Sequence, residues 1–315
     1  MRATGGAFAV RLSVGVFPYD RWGGLAPLAD AMVCADRLGF FGAALPDHVV
    51  TPLREGREPV ATVWYDPFVL AAYLAARTER LRLVFYVLVL PYRPPLQTAK
   101  QIATLDQVSG GRVVVGVGEG WMRGEFRALG LDRRRRAHQT DEYLDAMVSL
   151  WTDDEPSFDG DEVRFRNLAF EPRCVQSPHP PVWIGGSGPR ALARAERIGD
   201  GWAPMIGGPD ELAPVVARLR DAHGRRRTKR PFSVSAYLEV GRPDGIVRKA
   251  LGHAGGARDD APPRGTQEIL DAIEAHRSAG VDHLVLGFPW RDPAEYRDAL
   301  ERFAADILPC VGNGD

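Results

Sequence analysis

Only three cysteines, Cys34, Cys174 and Cys310, stand among the 315 residues. They are odd in number, far apart and in no metal-ligand spacing. That excludes a disulfide-stapled module and suits free thiols in a reducing cytoplasm. Long apolar runs are also missing. The longest, Leu83 to Pro91, is about half of what a membrane helix needs, so no membrane span is expected. Met1 to Gly6 is small and polar, and Arg11 interrupts the first apolar stretch. No secretory signal is read there, and a cytoplasmic protein is expected. There is no excess of positive charge: 40 Lys+Arg face 41 Asp+Glu, a formal net charge of -1. This argues against a nucleic-acid partner. The basic clusters Arg133 to Arg136 and Arg225 to Arg230 lack the interleaved aromatics of a nucleic-acid groove. Zinc-protease, Walker A, nucleophile-elbow and paired-cysteine motifs are all absent. The seven histidines are scattered singly, so no metal site is expected.

What is present is globular. Hydrophobic residues make up 45% and charged residues 26%, and the length is enough to bury a large core. Short apolar runs alternate with amphipathic stretches. Leu12 to Phe17 reads as a strand, and Leu25 to Leu38 as a helix stopped by Gly39. Phe41 to Pro46 is the second strand. Pro67 to Arg77 is the second helix, with Asp66 as its cap and Pro67 in its first position. Leu83 to Leu90 is apolar on both faces, as a buried parallel strand must be. Pro94 to Val108 is the third helix, ended by Gly110, and Arg112 to Val117 the fourth strand. Thr140 to Trp151 is the fourth helix, with Thr140 or Asp141 as cap. Strands at Val182 to Ile184, Gly201 to Pro204, Phe232 to Val240 and His283 to Phe288 continue the rhythm. Helices at Pro189 to Ile198, Asp210 to His223, Thr266 to Ala279 (capped by Thr266) and Pro293 to Ile307 alternate with them.

Eight strand–helix pairs predict an α/β fold, a (β/α)8 TIM-type barrel, as one domain over residues 1–315. A doubly wound sheet would place a glycine-rich fingerprint after the first strand, where Phe17-Pro18-Tyr19-Asp20 stands instead. Insertions are expected after strands 2, 4 and 7. These are Val49 to Tyr65, the hairpin-like Phe158 to Pro178, and Arg242 to Gly265. The first and third are candidate lids.

In a barrel, polar residues just beyond the strands are the first suspects for chemistry. After strand two comes Pro46-Asp47-His48, whose imidazole can donate or accept a proton near neutrality. The bland reading is a histidine bonded to a neighbouring loop carbonyl. After strand four comes Gly116-Val117-Gly118-Glu119-Gly120-Trp121. Its glycines permit close approach of a ligand, and Glu119 could act as an acid; the alternative is that Glu119 pairs with a rim arginine. After strand five, Gly185-Gly186-Ser187-Gly188-Pro189 opens a helix whose free N–H groups favour an anion, with Arg190 adding charge. The alternative is a simple glycine-rich turn. Tyr92 and Arg93, after strand three, either line the pocket or cap the next helix.

Several of these stretches, taken in order, resemble one superfamily. They are Leu38-Gly39-Phe40, Pro46-Asp47-His48-Val49-Val50, Thr78 to Leu83, Lys100 to Asp106, Ser109 to Arg112 running into Gly116-Val117-Gly118, Pro180 to Gly186 and Gly199-Asp200-Gly201-Trp202. The chain resembles the bacterial luciferase-like monooxygenase superfamily, in particular its branch dependent on the deazaflavin coenzyme F420. The resemblance implies a barrel with F420, or alternatively FMN, at its C-terminal face, and a homodimer. It maps His48 and Glu119 to catalytic positions near the ring. It maps Asp47, Val87, Leu88, Gly118, Gly185, Gly186, Ser187 and Arg190 to the cofactor, with Val87 and Leu88 in a bulge behind the ring. A tryptophan that shapes the pocket in the sugar-phosphate and alcohol dehydrogenases of that branch is Pro52 here, which speaks against those substrates. The expected activity is hydride transfer between F420 and a small organic substrate. The alternatives are an FMN-dependent monooxygenase served by a flavin reductase, and a non-catalytic flavin-binding barrel.

Overall fold

The computed structural model describes residues 10–53, 61–204, 207–226, 228, 230–241, 263 and 265–311. Along the chain, β1 (Arg11–Gly15) leads to α1 (Leu25–Leu38), then β2 (Gly42–Leu45), α2 (Pro67–Ala75), β3 (Arg82–Val89) and α3 (Pro95–Ser109). Next come β4 (Val113–Gly118), the short α4 (Arg123–Ala128), α5 (Arg136–Thr152) and a hairpin of β5 (Phe158–Asp159) and β6 (Arg164–Phe165). The second half holds β7 (Val182–Gly185), α6 (Pro189–Arg197), β8 (Gly201–Ala203), α7 (Pro209–Arg225) and β9 (Ser233–Glu239). It ends with α8 (Thr266–Ser278), β10 (His283–Gly287), α9 (Pro293–Asp306) and α10 (Leu308–Val311).

All strands but the hairpin pair in parallel and close a barrel in the order β1-β2-β3-β4-β7-β8-β9-β10. Closure is through β1: Ser13 lies opposite Val285 of β10 on one side and Gly42 of β2 on the other. Alternation along each strand sorts its side chains. Leu12, Val14, Leu83, Phe85, Val113, Val115 and Leu284 join the core under the helices, and Ala44, Val84, Tyr86, Val114, Trp183 and Val285 fill the barrel. Within the barrel, the fully buried His283 lies between the hydroxyls of Ser13 at 2.8 Å and Ser235 at 2.7 Å. Ser235 spends its proton on the Tyr86 hydroxyl. The ring therefore donates from Nδ1 and accepts at Nε2, as a neutral imidazole must. Burial, followed by the charge of Arg11, holds its pKa well below the ordinary histidine value.

Local signals set most element ends. The Asp66 carboxylate accepts from the amides of Phe68 and Val69 at 2.9 and 3.0 Å, capping α2 as its sequence requires. Gly39 and Gly110 end α1 and α3 in the left-handed region, with φ of 89° and 66°. Two expected caps move. The helix expected from Thr140 begins a turn earlier at Arg136, and the Thr140 hydroxyl, buried, bonds back to the Arg136 carbonyl at 2.7 Å. Gly265 takes the cap position of α8, and Thr266 is the first helical residue.

The hairpin expected between Phe158 and Pro178 follows α5, on the side where the chain returns to the barrel. Glu142 of α5 anchors it, accepting from the amides of Asp161, Glu162 and Val163 at 3.0, 2.6 and 2.6 Å. The loop expected at Val49 to Tyr65 is described except for residues 54–60. Most of Arg242 to Gly265 lies outside the described residues.

Candidate active site

His48 stands beyond the end of β2, half-buried. Its Nδ1 lies 2.8 Å from Oε2 of Glu125, whose side chain is wholly buried on α4. Three more donors converge on that carboxylate: Val49 N–H at 2.6 Å, Val50 N–H at 3.3 Å and the Tyr92 hydroxyl at 2.9 Å. Burial by itself pushes the Glu125 carboxyl up. The bonds from His48, Val49 and Tyr92 more than offset this, so its pKa lies below the ordinary carboxylate value. An ionised carboxylate only accepts, so His48 presents Nδ1–H to Glu125 and keeps Nε2 for proton exchange. Tyr92 is raised by burial and then by the Glu125 charge, so its phenol stays protonated. The loop reaches α4 at a second point as well. Pro52 packs where a Cβ on Gly124 would stand, 2.2 Å from its Cγ.

Aromatic rings surround the imidazole. The ring of Trp64 lies 4.5 Å from His48 and that of Trp121 lies 6.2 Å away, edge-on. Phe17 stacks on Trp64 at 5.2 Å, and the Trp64 indole N–H is spent on Thr51 Oγ1 at 2.7 Å. Beneath His48, Asp47 is buried and forms a bidentate pair with Arg93 at 2.6 and 2.7 Å while accepting from the Val89 amide at 2.9 Å. Asp47 therefore ties the end of β2 to β3 and turns no free oxygen to the barrel mouth.

The floor is made by β3. Its pairing with β4 shifts register between Phe85 and Leu88, and the Tyr86–Val87 peptide bond is cis. Val87 lies over three glycines. A Cβ on Gly116, Gly118 or Gly185 would stand 3.0, 2.8 or 3.1 Å from a Val87 methyl. Those distances are too close for any larger residue, so the β3, β4 and β7 ends meet in a low, smooth ledge. Leu88 points the other way and is buried in the core under the helices.

Glu119 is held by arginines. Its Oε1 receives Arg194 Nη2 at 3.1 Å, and its Oε2 lies 3.8 Å from Arg136 Nε. The arginine pairing weighed in the sequence is thus the arrangement found. Arg194 of α6 is wholly buried, also holds Asp141 at 2.5 Å, and has an Nη1 without a partner. Arg136 and Arg133 likewise bury an Nε that makes no hydrogen bond. Burial, and then the charges of Arg136 and Arg123, lower the pKa of Arg133. Three guanidinium groups, those of Arg133, Arg136 and Arg194, thus gather with the carboxylates of Glu119 and Asp141 among them. Next to them, Gly185 is buried, Gly186 half-buried, and Ser187 and Arg190 exposed at the uncapped start of α6.

Sequence reasoning missed Glu125, Trp64 and Arg194. One other group of metal-ligating side chains meets among the described residues. His138 Nε2 lies 3.4 Å from Glu142 and 3.5 Å from Asp161, but Glu142 is already occupied by the hairpin amides. A cavity of about 280 Å³ opens beside Phe288, Ile269 and Phe303, beyond β9 and β10; none of the groups around His48 lines it.

The sequence profile of the luciferase-like monooxygenases matches residues 8–280. The chain belongs to the luciferase-like monooxygenase family. It is an oxidoreductase by that membership. It is 31% identical over 310 residues to an uncharacterised protein of Mycobacterium tuberculosis, covering 94% of this chain and 98% of that one. It is also 42% identical over 130 residues to the FMNH2-dependent dimethylsulfone monooxygenase of Pseudomonas putida, a match spanning 40% of this chain and 36% of that enzyme. Its fold matches the coenzyme F420-dependent tetrahydromethanopterin reductase of Methanopyrus kandleri with a TM-score of 0.75. That match has 20% identity and covers 96% of this chain and all of the other.

Proposed function

We propose that this oxidoreductase transfers hydride between the deazaflavin F420 and a small organic substrate, with His48 exchanging the substrate's proton. The observation that carries this reading is the His48–Glu125 pair. A buried, ionised carboxylate fixes one ring nitrogen and leaves the other at the mouth of the barrel. The site also fits a tricyclic ring with an anionic tail. The ledge of Val87, Gly118 and Gly185 is flat enough to seat a ring, since a Cβ on either glycine would collide with Val87. The exposed Arg190 and the Gly186–Ser187 turn at the uncapped start of α6 would donate to phosphate or carboxylate oxygens, beside the guanidinium groups of Arg133, Arg136 and Arg194. When bound, the deazaflavin supplies or takes up a hydride at its central ring.

The chain's own residues do the rest. Glu125 holds the imidazole, Tyr92 and the Val49 and Val50 amides hold Glu125, and Asp47–Arg93 fixes the strand end beneath. Glu119, bound to two arginines, organises the anion side in this reading. The assignment to F420 ahead of FMN rests on the number of guanidinium groups there, which exceeds what one phosphate needs. The 42% identity to an FMNH2-dependent enzyme favours a second reading, oxygen insertion with reduced FMN from a reductase partner.

Parallel titration of the purified protein with F420 and FMN, each oxidised and reduced, tests both. Tighter binding of F420 supports hydride transfer, and tighter binding of reduced FMN supports the second reading. Binding of neither would sink both. Replacing Arg133 and Arg136 with Ala should weaken FMN or F420 about tenfold or more while leaving riboflavin, which lacks the phosphate, unchanged.

A further inference from the structure

We infer that the pocket beside His48 admits an uncharged substrate with an apolar body and rejects anions of the same shape. This rests on the reading of His48 as the proton-exchanging group. Eleven large hydrophobic side chains are exposed among the described residues, and five of them, Val49, Val50, Leu53, Val63 and Trp121, lie in the segments that flank His48. Scattered apolar residues are ordinary on a surface, but a cluster around a reactive group marks a binding face. Trp121 is 43% exposed and stands edge-on to the imidazole, so it offers an apolar surface beside His48.

The carboxylate bonded to His48 and the one directly beneath it are turned inward. The side chains of Glu125 and Asp47 are wholly buried, and Arg93 is committed to Asp47 through both of its terminal nitrogens. A charged substrate would lose water against this carbon-lined face with no partner offered by those groups, whereas a neutral one gains from burial. The guanidinium groups of Arg133, Arg136 and Arg194, which could take an anion, gather about Glu119.

The test compares cyclohexanone with cyclohexanecarboxylate, which differ chiefly in charge. Each is titrated into the full chain, with and without bound F420 or FMN, following the tryptophan indole signals by NMR. Cofactor affinity is measured separately by fluorescence, so failure of the cofactor reading shows there and not here. The ketone is expected to bind at least tenfold more tightly than the carboxylate. Trp121→Ala should lower ketone affinity about tenfold with cofactor affinity unchanged. Equal or better binding of the carboxylate would overturn the inference, as would a Trp121→Ala variant that binds the ketone like the parent. A Trp121→Arg variant that turns a dimer into a monomer without weakening the ketone would make this face a subunit contact, and also overturns it.

Discussion

The Glu125 carboxylate meets four donors, two on each oxygen, and one of them is the imidazole that faces the barrel mouth. Glu125→Gln keeps the shape and removes the charge that fixes the ring. Turnover is expected to fall by about a hundredfold, within the range of a general acid–base contribution, with cofactor affinity held. Glu125→Asp should recover part of the loss. Steady-state kinetics beside a cofactor titration would show it, and a Gln variant with parental turnover would remove Glu125 from the mechanism. The lowered pKa of Glu125 also has a sign for stability. Its contribution is full above the unfolded value of 4.5 and is lost as the pH falls from there toward the folded value.

At the scale of elements, the ledge depends on three strands meeting over small residues. Gly118→Ala would put a methyl 2.8 Å from Val87. It should cost about 1–3 kcal/mol in chemical denaturation and weaken cofactor binding. Adding Val87→Ala should return much of that loss, because the two side chains compete for one space; simple additivity would refute the contact. The elements themselves were readable where their signals are local. Asp66-Pro67 starts α2 and Gly39 stops α1 because both act on amides and carbonyls within a turn. The start of α5 was misread because Arg135 caps it without a side-chain bond, leaving Thr140 and Asp141 as the visible cap signals. The position of His48 just beyond a strand was legible. Glu125 was not, because its role exists only through a partner 77 residues away. Glu119 stands out by position alone, and its bond to Arg194, 75 residues on, carries no local signal.

For the whole molecule, the imidazole sealed inside the barrel makes stability depend on pH. His283 stays neutral in the folded state, while in the unfolded chain it titrates near 6.5. The unfolded state therefore binds more protons below that value. Stability should be full above pH 6.5 and decline as the pH falls toward the depressed folded value, by at most about 1.4 kcal/mol per pH unit for this one proton. Urea denaturation from pH 8 to pH 5 would reveal it. A His283→Gln variant, though less stable throughout, should show a flatter profile. An equal slope in both proteins would assign the acid sensitivity to other groups.

The grip of Glu125 on both the imidazole and the backbone at Val49 and Val50, with Pro52 seated against Gly124, welds the loop after β2 to α4. Transplanting that loop from a relative to change what the enzyme accepts would therefore unsettle the proton-handling ring as well. An exchange that keeps this joint intact has to carry residues 46–53 and 121–126 together.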